Sequence, residues 1–193
     1  MSLLCASAPV TASHRSLVYN VMFTDPIKNL KALGLKENDI VADLGAGTGY
    51  YSIAAGRLVP QGKVYAVEIV KDFLHTIHNK VKDAHLSNVE ILWGNIEKIG
   101  GTKIADAVVD AVIASNVLFQ AEDKNKFVEE TRRILKKGGA VLLVDWMPDS
   151  TGISPTGAIA KNKARELFET HGFVLGREID AGAHHYGMIL MRQ

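Results

Sequence analysis

Three glycines at alternate positions follow an acidic residue at the end of an apolar run. Asp43 precedes Gly45, Gly47 and Gly49 in the segment DLGAGTGYYS, residues 43–52. Glycines at this spacing let the chain turn tightly, and they let backbone N–H groups approach a ligand that any Cβ would hold off. The helix expected after the turn offers its N-terminus to the same ligand. The segment therefore predicts a strand that ends in a nucleotide-binding turn.

The spacing of these glycines separates two classes of cofactor. A dinucleotide-binding turn has the pattern G-x-G-x-x-G, whereas this chain has G-x-G-x-G, with Tyr50 where the last dinucleotide glycine would stand. A carboxylate at Asp43 would repel a pyrophosphate and attract a cationic amino-acid ligand. S-adenosylmethionine is a ligand of that kind, so the turn favours it over NAD.

A second carboxylate closes the next predicted strand. Residues 63–69 form an apolar run in which Glu68 lies 19 residues beyond Gly49, where a ribose-binding acid belongs in a βαβ unit. An ionised carboxylate can accept from both ribose hydroxyls and so fix the orientation of the ribose. The alternative interpretation of Glu68 is a solvated side chain at a strand end.

At these motifs the chain resembles the class I S-adenosylmethionine-dependent methyltransferases, whose first motif is an acidic residue followed by G-x-G-x-G. The resemblance implies S-adenosylmethionine as cofactor and gives Glu68 the ribose role. The family usually has an Asp after the third strand that takes the adenine amino group. This chain has Asn95 there, so adenine contact is assigned to the neutral Asn95 carbonyl or to the Ile96 backbone. The predicted cofactor-binding residues are Asp43, Gly45, Ala46, Gly47, Gly49, Tyr50, Tyr51, Glu68, Ile69, Asn95, Ile96, Ser115 and Asn116.

Strand and helix signals alternate along the chain in the order αβαβαβαβαβαββ. The strands are almost continuously apolar, which predicts a parallel sheet covered on both faces. The last two predicted strands, residues 173–179 and 186–191, are joined by only six residues, so they must pair antiparallel. We predict a doubly wound α/β fold with seven strands, mostly parallel, and an antiparallel C-terminal strand. This is the Rossmann-like fold that the family resemblance also implies.

Length and composition predict one enzyme domain. The 193 residues are 47% hydrophobic and 22% charged, which is ordinary for a globular protein. We assign residues 25–193 to the methyltransferase domain and residues 1–24 to a partly mobile segment that could cover the site. The single cysteine, Cys5, excludes an internal disulfide. No apolar run approaches the ~20 residues that span a bilayer, and the opening residues lack a secretory signal, so we expect a cytoplasmic protein.

The charge pattern bears on the class of methyl acceptor. A net charge of +1 gives no overall attraction for nucleic acid. The one basic cluster, residues 132–137, precedes the fifth strand and so belongs at the edge opposite the ligand. The proline motif typical of enzymes that methylate base amines is missing after Asn116. These features oppose a nucleic-acid acceptor. The loop after the fourth strand, the short N-terminal helical cover and the lack of an appended recognition domain resemble the family that includes the ubiquinone and menaquinone biosynthesis C-methyltransferases, which implies a small-molecule acceptor.

Methyl transfer from a sulfonium requires a positioned nucleophile and often a group that takes its proton. The candidates are His184 and His185, in the turn between the last two strands, and Asp145 at the end of the fifth strand. The alternative role of the two histidines is to brace the hairpin. His75 and His78 share a helix face but have no third ligand nearby, so no metal site is predicted.

Three other functions use the same predicted sheet. A methyltransferase acting on protein or RNA would bind the same cofactor. A nicotinamide-dependent oxidoreductase would need a turn open to pyrophosphate, which Asp43 and Tyr50 oppose. A non-catalytic cofactor-binding module would bind S-adenosylmethionine without turnover.

Overall fold

A computed structural model describes residues 25–148 and 154–193, and the predicted cover formed by residues 1–24 lies outside them. The described ranges fold into alternating helices and strands. In chain order these are α1 (Pro26–Leu33), β1 (Ile40–Leu44), α2 (Tyr50–Leu58), β2 (Lys63–Glu68), α3 (Lys71–Asp83), β3 (Val89–Trp93), β4 (Val109–Ser115), α4 (Lys124–Ile134), β5 (Leu135–Trp146), α5 (Lys161–Thr170), β6 (Phe173–Ile179) and β7 (His185–Arg192).

The strands form one seven-stranded sheet in the order β3-β2-β1-β4-β5-β7-β6. The first five strands pair in parallel, whereas β7 runs antiparallel to both β5 and β6. Because β6 is therefore parallel to the first five strands, the turn between β6 and β7 lies at their carboxyl ends. In this register His185 pairs with Trp146. The predicted fold class is confirmed.

Helices cover both faces of the sheet. Phe127 of α4 and Phe168 of α5 are fully buried in the core on one face. Leu30 of α1 and Ala55 of α2 are fully buried in the core on the other. Strand residues alternate between these two cores, which explains why the strands read as continuous apolar runs. The double coverage leaves the carboxyl edge as the place where loops can build a site.

The start of α1 shows how local sequence sets an element that supports the site. Asp25 caps the helix by accepting from the backbone N–H groups of Ile27 (3.0 Å) and Lys28 (3.2 Å), and Pro26 occupies the first helical position, where its missing N–H costs nothing. Inside the helix, Asn29 donates from its Nδ2 to the Tyr51 hydroxyl at 2.8 Å. This bond ties α1 to α2 directly after the glycine-rich turn.

The helix predicted between the third and fourth strands is wrong, because residues 94–108 form turns and irregular backbone. Two features explain the difference. Gly100 has φ of +76°, and a Cβ on Gly101 would lie 2.2 Å from the Asn95 carbonyl oxygen. The buried Glu130 carboxylate of α4 also accepts from the N–H groups of Gly100 (2.8 Å) and Thr102 (3.1 Å). A side chain distant in sequence thus satisfies backbone that a helix would otherwise satisfy.

Helix α4 passes directly into β5, and Gly138 and Gly139 lie within the strand. The helix ends at Ile134 and the strand begins at Leu135. Leu135 pairs with Val109 of β4, so tertiary pairing extends the strand through the two glycines. In the described ranges no helix is long and apolar enough to cross a membrane.

Candidate active site

The glycine-rich turn is held against the neighbouring strand by its own backbone. The N–H groups of Gly45 and Ala46 both donate to the Val67 carbonyl, at 2.9 and 3.0 Å. Gly45 and Gly47 have φ of +71° and +53°, a region that favours glycine. A Cβ on Gly45 would meet the Val117 side chain at 2.1 Å, whereas one on Gly47 would have no atom within 4 Å. Gly47 therefore leaves open space beside the turn.

Glu68 joins this turn to the end of β2. Its Oε2 accepts from the Gly47 N–H at 2.8 Å, and its Oε1 accepts from the N–H groups of Ile69 (2.8 Å) and Val70 (2.9 Å). The side chain is only 6% exposed. The carboxylate is therefore fixed in position before any ligand arrives, which is the preorganisation that a ribose-binding acid needs.

A cleft of about 610 Å³ opens at the carboxyl edge of the sheet, next to the turn and Glu68. Six of the residues predicted to bind the cofactor line it: Gly45, Gly47, Glu68, Ile69, Asn95 and Ile96. The structure thus brings the first, second and third strand ends together around one space. Its volume is in the range of ordinary small-molecule sites.

The electrostatic character of this cleft is acidic. Four carboxylates line it, from Glu68, Glu97, Glu122 and Asp123, and its described lining includes no lysine or arginine. Glu97 accepts from the Asp123 backbone N–H at 2.6 Å, which joins the segment after β3 to the start of α4. Such a field favours a cationic ligand and disfavours a diphosphate.

Asp43 lies beneath the turn rather than on the cleft surface. It is 2% exposed, and its Oδ2 accepts from the Ser52 hydroxyl at 2.5 Å. Burial raises the pKa of Asp43 to about 7, against the hydrogen bonds from Ser52 that lower it. In this arrangement the carboxyl group braces the first turn of α2 below the glycines.

The remaining predicted cofactor residues lie outside the cleft lining. Tyr50 is 68% exposed and lies against the Lys80 ammonium, which is 4.0 Å from the ring centroid. Tyr51 is buried in the core. Ala46, Gly49, Ser115 and Asn116 also do not line the cleft. Asn116 follows β4 directly with φ of +56°, and its buried Oδ1 has no hydrogen-bond partner.

Asp145, a predicted catalytic candidate, anchors the loop after β4. Its Oδ2 accepts from the N–H groups of Leu118 (2.7 Å) and Phe119 (3.3 Å), and its Oδ1 accepts from the Trp146 N–H (2.7 Å). Burial raises its pKa to about 6, opposed by these backbone hydrogen bonds. These three hydrogen bonds all come from backbone N–H groups, so Asp145 positions the loop that carries part of the cleft lining.

The two histidines at the hairpin turn differ in environment. His185 is 6% exposed, and its ring lies on Trp146 with centroids 4.2 Å apart. Its buried Nε2 has no hydrogen-bond partner. Burial, followed by the charge of His184, lowers the pKa of His185 to about 4. His184 is half-buried, and its carbonyl accepts from the Met147 N–H at 2.9 Å.

Sequence reasoning missed part of the cleft wall. The predicted cofactor-binding residues after β4 are Ser115 and Asn116, whereas five later residues of this stretch line the cleft: Val117, Gln120, Ala121, Glu122 and Asp123. Their position just beyond the carboxyl end of a central parallel strand was the available signal. Gly45 is a second signal for this contact, because the Val117 side chain lies where a Cβ at residue 45 would stand.

Comparison with known proteins defines the class. A family model described as a methyltransferase domain matches residues 35–172. The chain therefore belongs to the methyltransferase domain family, and the class predicted from the glycine-rich turn is confirmed, with S-adenosylmethionine as the methyl donor of that class.

Individual relatives and structures agree with this membership. The chain is 30% identical over 131 residues to an arsenite methyltransferase of Halobacterium salinarum, covering 63% of this chain and 33% of that protein. It is 28% identical over 117 residues to a demethylmenaquinone methyltransferase of a Geobacillus species, covering 60% and 49%. A crystal structure of a SAM-dependent methyltransferase from Aquifex aeolicus has a TM-score of 0.81 and 26% identity, covering 96% of this chain and 100% of that one. The chain thus spans between a third and a half of these two curated relatives.

The residues at the cleft fit S-adenosylmethionine. Its sulfonium and ammonium groups are cationic, which suits a lining with four carboxylates and no lysine or arginine among its described residues. The space beside Gly47 would be filled by any Cβ, so that position leaves a cradle for a ligand.

Proposed function

We propose that the protein is an S-adenosylmethionine-dependent methyltransferase that acts on a small molecule. The observation that carries the proposal is the acidic cleft, in which Gly47 and Glu68 are joined by a hydrogen bond at 2.8 Å and no cation lines the described walls. Membership of the methyltransferase domain family supports the reaction class. Residues 25–193 are assigned to this domain, and a single cysteine agrees with a cytoplasmic location.

Different residues at the cleft bind different parts of the cofactor. Glu68 accepts from the ribose hydroxyls, since its carboxylate is already fixed by backbone donors. Asn95 and the Ile96 backbone take the adenine, at the end of the third strand. Asp43 supports the glycine-rich turn from beneath through its hydrogen bond with Ser52. The open space at Gly47 lets the ligand contact backbone.

The chemistry requires little from the protein beyond positioning and proton removal. S-adenosylmethionine supplies an electrophilic methyl group on its sulfonium. His185 is the candidate proton acceptor because it lies at the carboxyl edge of the sheet, paired with Trp146 of β5, and its Nε2 has no protein partner. It does not line the cleft itself. His184 stays a candidate at the same turn. Asp145 acts as a positioning residue, because it holds the loop at Leu118.

Small molecules are the acceptors favoured by the relatives, which are named for arsenite and demethylmenaquinone. Arsenic(III) is a soft, thiophilic centre, and soft centres are bound by thiolates. This chain has one cysteine, Cys5, so it offers no group of thiolates to hold arsenite. A carbon, oxygen or nitrogen nucleophile on an organic molecule is the better match.

The acceptor class is tested by incubating the full chain with S-adenosylmethionine labelled on its methyl group and a cell extract. The products are then separated into small-molecule, protein and RNA fractions. The proposal predicts label in the small-molecule fraction only. Label confined to the protein or RNA fraction would reject the acceptor class, and tight cofactor binding with no transfer to any fraction would indicate a non-catalytic binding module.

The role of His185 is tested by His185→Gln, which retains a polar side chain but cannot take a proton at neutral pH. Once an acceptor is found, we expect kcat to fall by about 10²–10⁴-fold with the affinity for S-adenosylhomocysteine unchanged. His78→Gln is the matched control, since His78 is exposed on α3. An unchanged kcat in His185→Gln would show that another group takes the proton.

A further inference from the structure

A second cleft of about 610 Å³ lies at the opposite edge of the sheet from the cofactor cleft. Its walls come from the end of α4, the turn between α5 and β6, the end of β7 and residues 106–107 before β4. All of these segments lie at the amino ends of the parallel strands. The occupant of this cleft would therefore not touch the cofactor, and nothing in the methyl-transfer chemistry requires the cleft.

Three arginines line this second cleft, and one of them is fully engaged. Arg133 donates to the buried Glu130 carboxylate (2.8 Å), to Asp106 (2.5 Å) and to the Ile104 carbonyl (2.8 Å). Its contacts hold the pKa of the guanidinium above its usual range, chiefly through Glu130. Arg133 is thus part of the structural network between α4 and the loop before β4.

The other two arginines, Arg132 and Arg192, have no carboxylate partner among the described residues. Arg192 donates to the Leu135 carbonyl, but its buried Nε has no acceptor. Burial, and then the positive charge of Arg132, hold the pKa of Arg192 below its usual range. Both guanidinium groups line the same cleft, and the Asp106 carboxylate offsets part of the effect of Arg132 on Arg192.

The carboxylates in the same cleft are already used. Asp106 pairs with Arg133, and Glu129 pairs with Lys126 at 2.9 Å. A Cβ on Gly172 would lie 3.3 Å from the Arg132 Nε, so this glycine leaves room for the guanidinium against the turn after α5. Two arginine side chains that form no salt bridge with a described residue and line one cleft suit an oxyanion, which binds arginine through paired N–H donors.

We propose that Arg132 and Arg192 form a binding site for a small phosphate-type oxyanion, either free phosphate or the phosphate group of a small metabolite. Such an anion would accept hydrogen bonds from the guanidinium groups of Arg132 and Arg192, which both line the cleft. Its negative charge would also offset the effect of the positive charge of Arg132 on Arg192. The cleft volume admits a ligand larger than phosphate itself.

The test is calorimetric titration of the full chain with inorganic phosphate, at an ionic strength held constant with sodium chloride. We expect saturable binding to one site, weakened by at least about tenfold in Arg132→Gln and in Arg192→Gln, because each removes charged hydrogen bonds. Arg165→Gln is the matched control, since Arg165 is on α5 outside the cleft and pairs with Glu169. The control is expected to bind phosphate like the unmodified protein.

The same titration with glycerol 3-phosphate distinguishes the source of the anion. Tighter binding than inorganic phosphate would identify a phosphorylated metabolite, and equal or weaker binding would identify free phosphate. Absence of saturable phosphate binding, or an equal loss in Arg165→Gln, would overturn the proposal. Arg132 is exposed, so its variant keeps the test valid even where Arg192→Gln does not fold.

Discussion

Glu68 at the end of β2 accepts a hydrogen bond from the backbone N–H of Gly47 at 2.8 Å. The bond connects two motifs that are 21 residues apart in sequence, and it holds the glycine-rich turn at the mouth of the acidic cleft. A single carboxylate thus shapes the turn and faces the ligand, so changes at Glu68 and Gly47 are the most informative tests of the site.

Glu68→Gln is expected to weaken S-adenosylhomocysteine binding by about 10–100-fold, because it removes a charged acceptor and places an amide N–H₂ among backbone donors. Calorimetric titration measures the effect. Glu90→Gln is the control, since Glu90 is an exposed residue of β3 that pairs with Lys63. Equal affinities for the two variants would remove Glu68 from the ribose-binding role.

Gly47→Ala is expected to fold and to lose at least about tenfold in cofactor affinity, because the added methyl group enters the ligand space and no protein atom lies within 4 Å of it. The left-handed backbone should cost about 1–2 kcal/mol of stability. Gly34→Ala is a matched control, with φ of +78° and also open space around its Cβ, but at the end of α1. It should show the loss of stability without the loss of affinity.

Asp43 makes stability depend on pH in a defined direction. Its pKa is raised from 3.8 to about 7, so the folded state favours the protonated form. Below pH ~4 the Asp43 carboxyl is protonated in both the folded and the unfolded state, so it does not change the free energy of unfolding. From pH ~4 to ~7 the unfolded state releases a proton that the folded state retains, so the free energy of unfolding falls, and above pH ~7 the cost stays constant.

Asp43→Asn removes this titration. Its free energy of unfolding relative to the unmodified protein should rise between pH ~4 and ~7, by about 4 kcal/mol at most. Urea denaturation at several pH values measures the difference. The comparison between variants isolates Asp43 from Asp145, whose pKa is also raised. A pH-independent difference would mean that Asp43 is already ionised in the folded protein at acidic pH.

Two buried tyrosines should respond oppositely to loss of the hydroxyl. The Tyr186 hydroxyl is buried without a partner, so Tyr186→Phe should increase the free energy of unfolding by about 1 kcal/mol. The Tyr51 hydroxyl accepts from Asn29 at 2.8 Å, so Tyr51→Phe should decrease it by about 1–3 kcal/mol by leaving the buried amide unpaired. Denaturant titration of both variants is the measurement, and a destabilised Tyr186→Phe would show that its hydroxyl has a partner in solution.

The sequence predicted those parts of the fold that depend on local pattern. The glycine-rich turn and the antiparallel hairpin each follow from a few adjacent residues, and the structure has both. The irregular segment between β3 and β4 could not be predicted in the same way. Its backbone is satisfied by Glu130, a residue about 30 positions away, and such a contact leaves no local signal.

The candidate site, like the fold, could be predicted from the sequence only in part. Gly47, Glu68 and Asn95 line one cleft because each follows a parallel strand, and strand ends meet at one edge. Asp145 anchors Leu118 only because the loop after β4 has a particular conformation. The sequence pattern does not determine that conformation. The low pKa of His185 likewise depends on burial set by tertiary packing.

The central claim is that the cleft binds a sulfonium cofactor, and calorimetric titration of the purified chain with S-adenosylhomocysteine and, separately, with NADH tests it most directly. We expect saturable binding of S-adenosylhomocysteine, weakened in Glu68→Gln, and no binding of NADH. Binding of NADH without S-adenosylhomocysteine would contradict the assignment of the glycine-rich turn and the methyltransferase activity proposed from it.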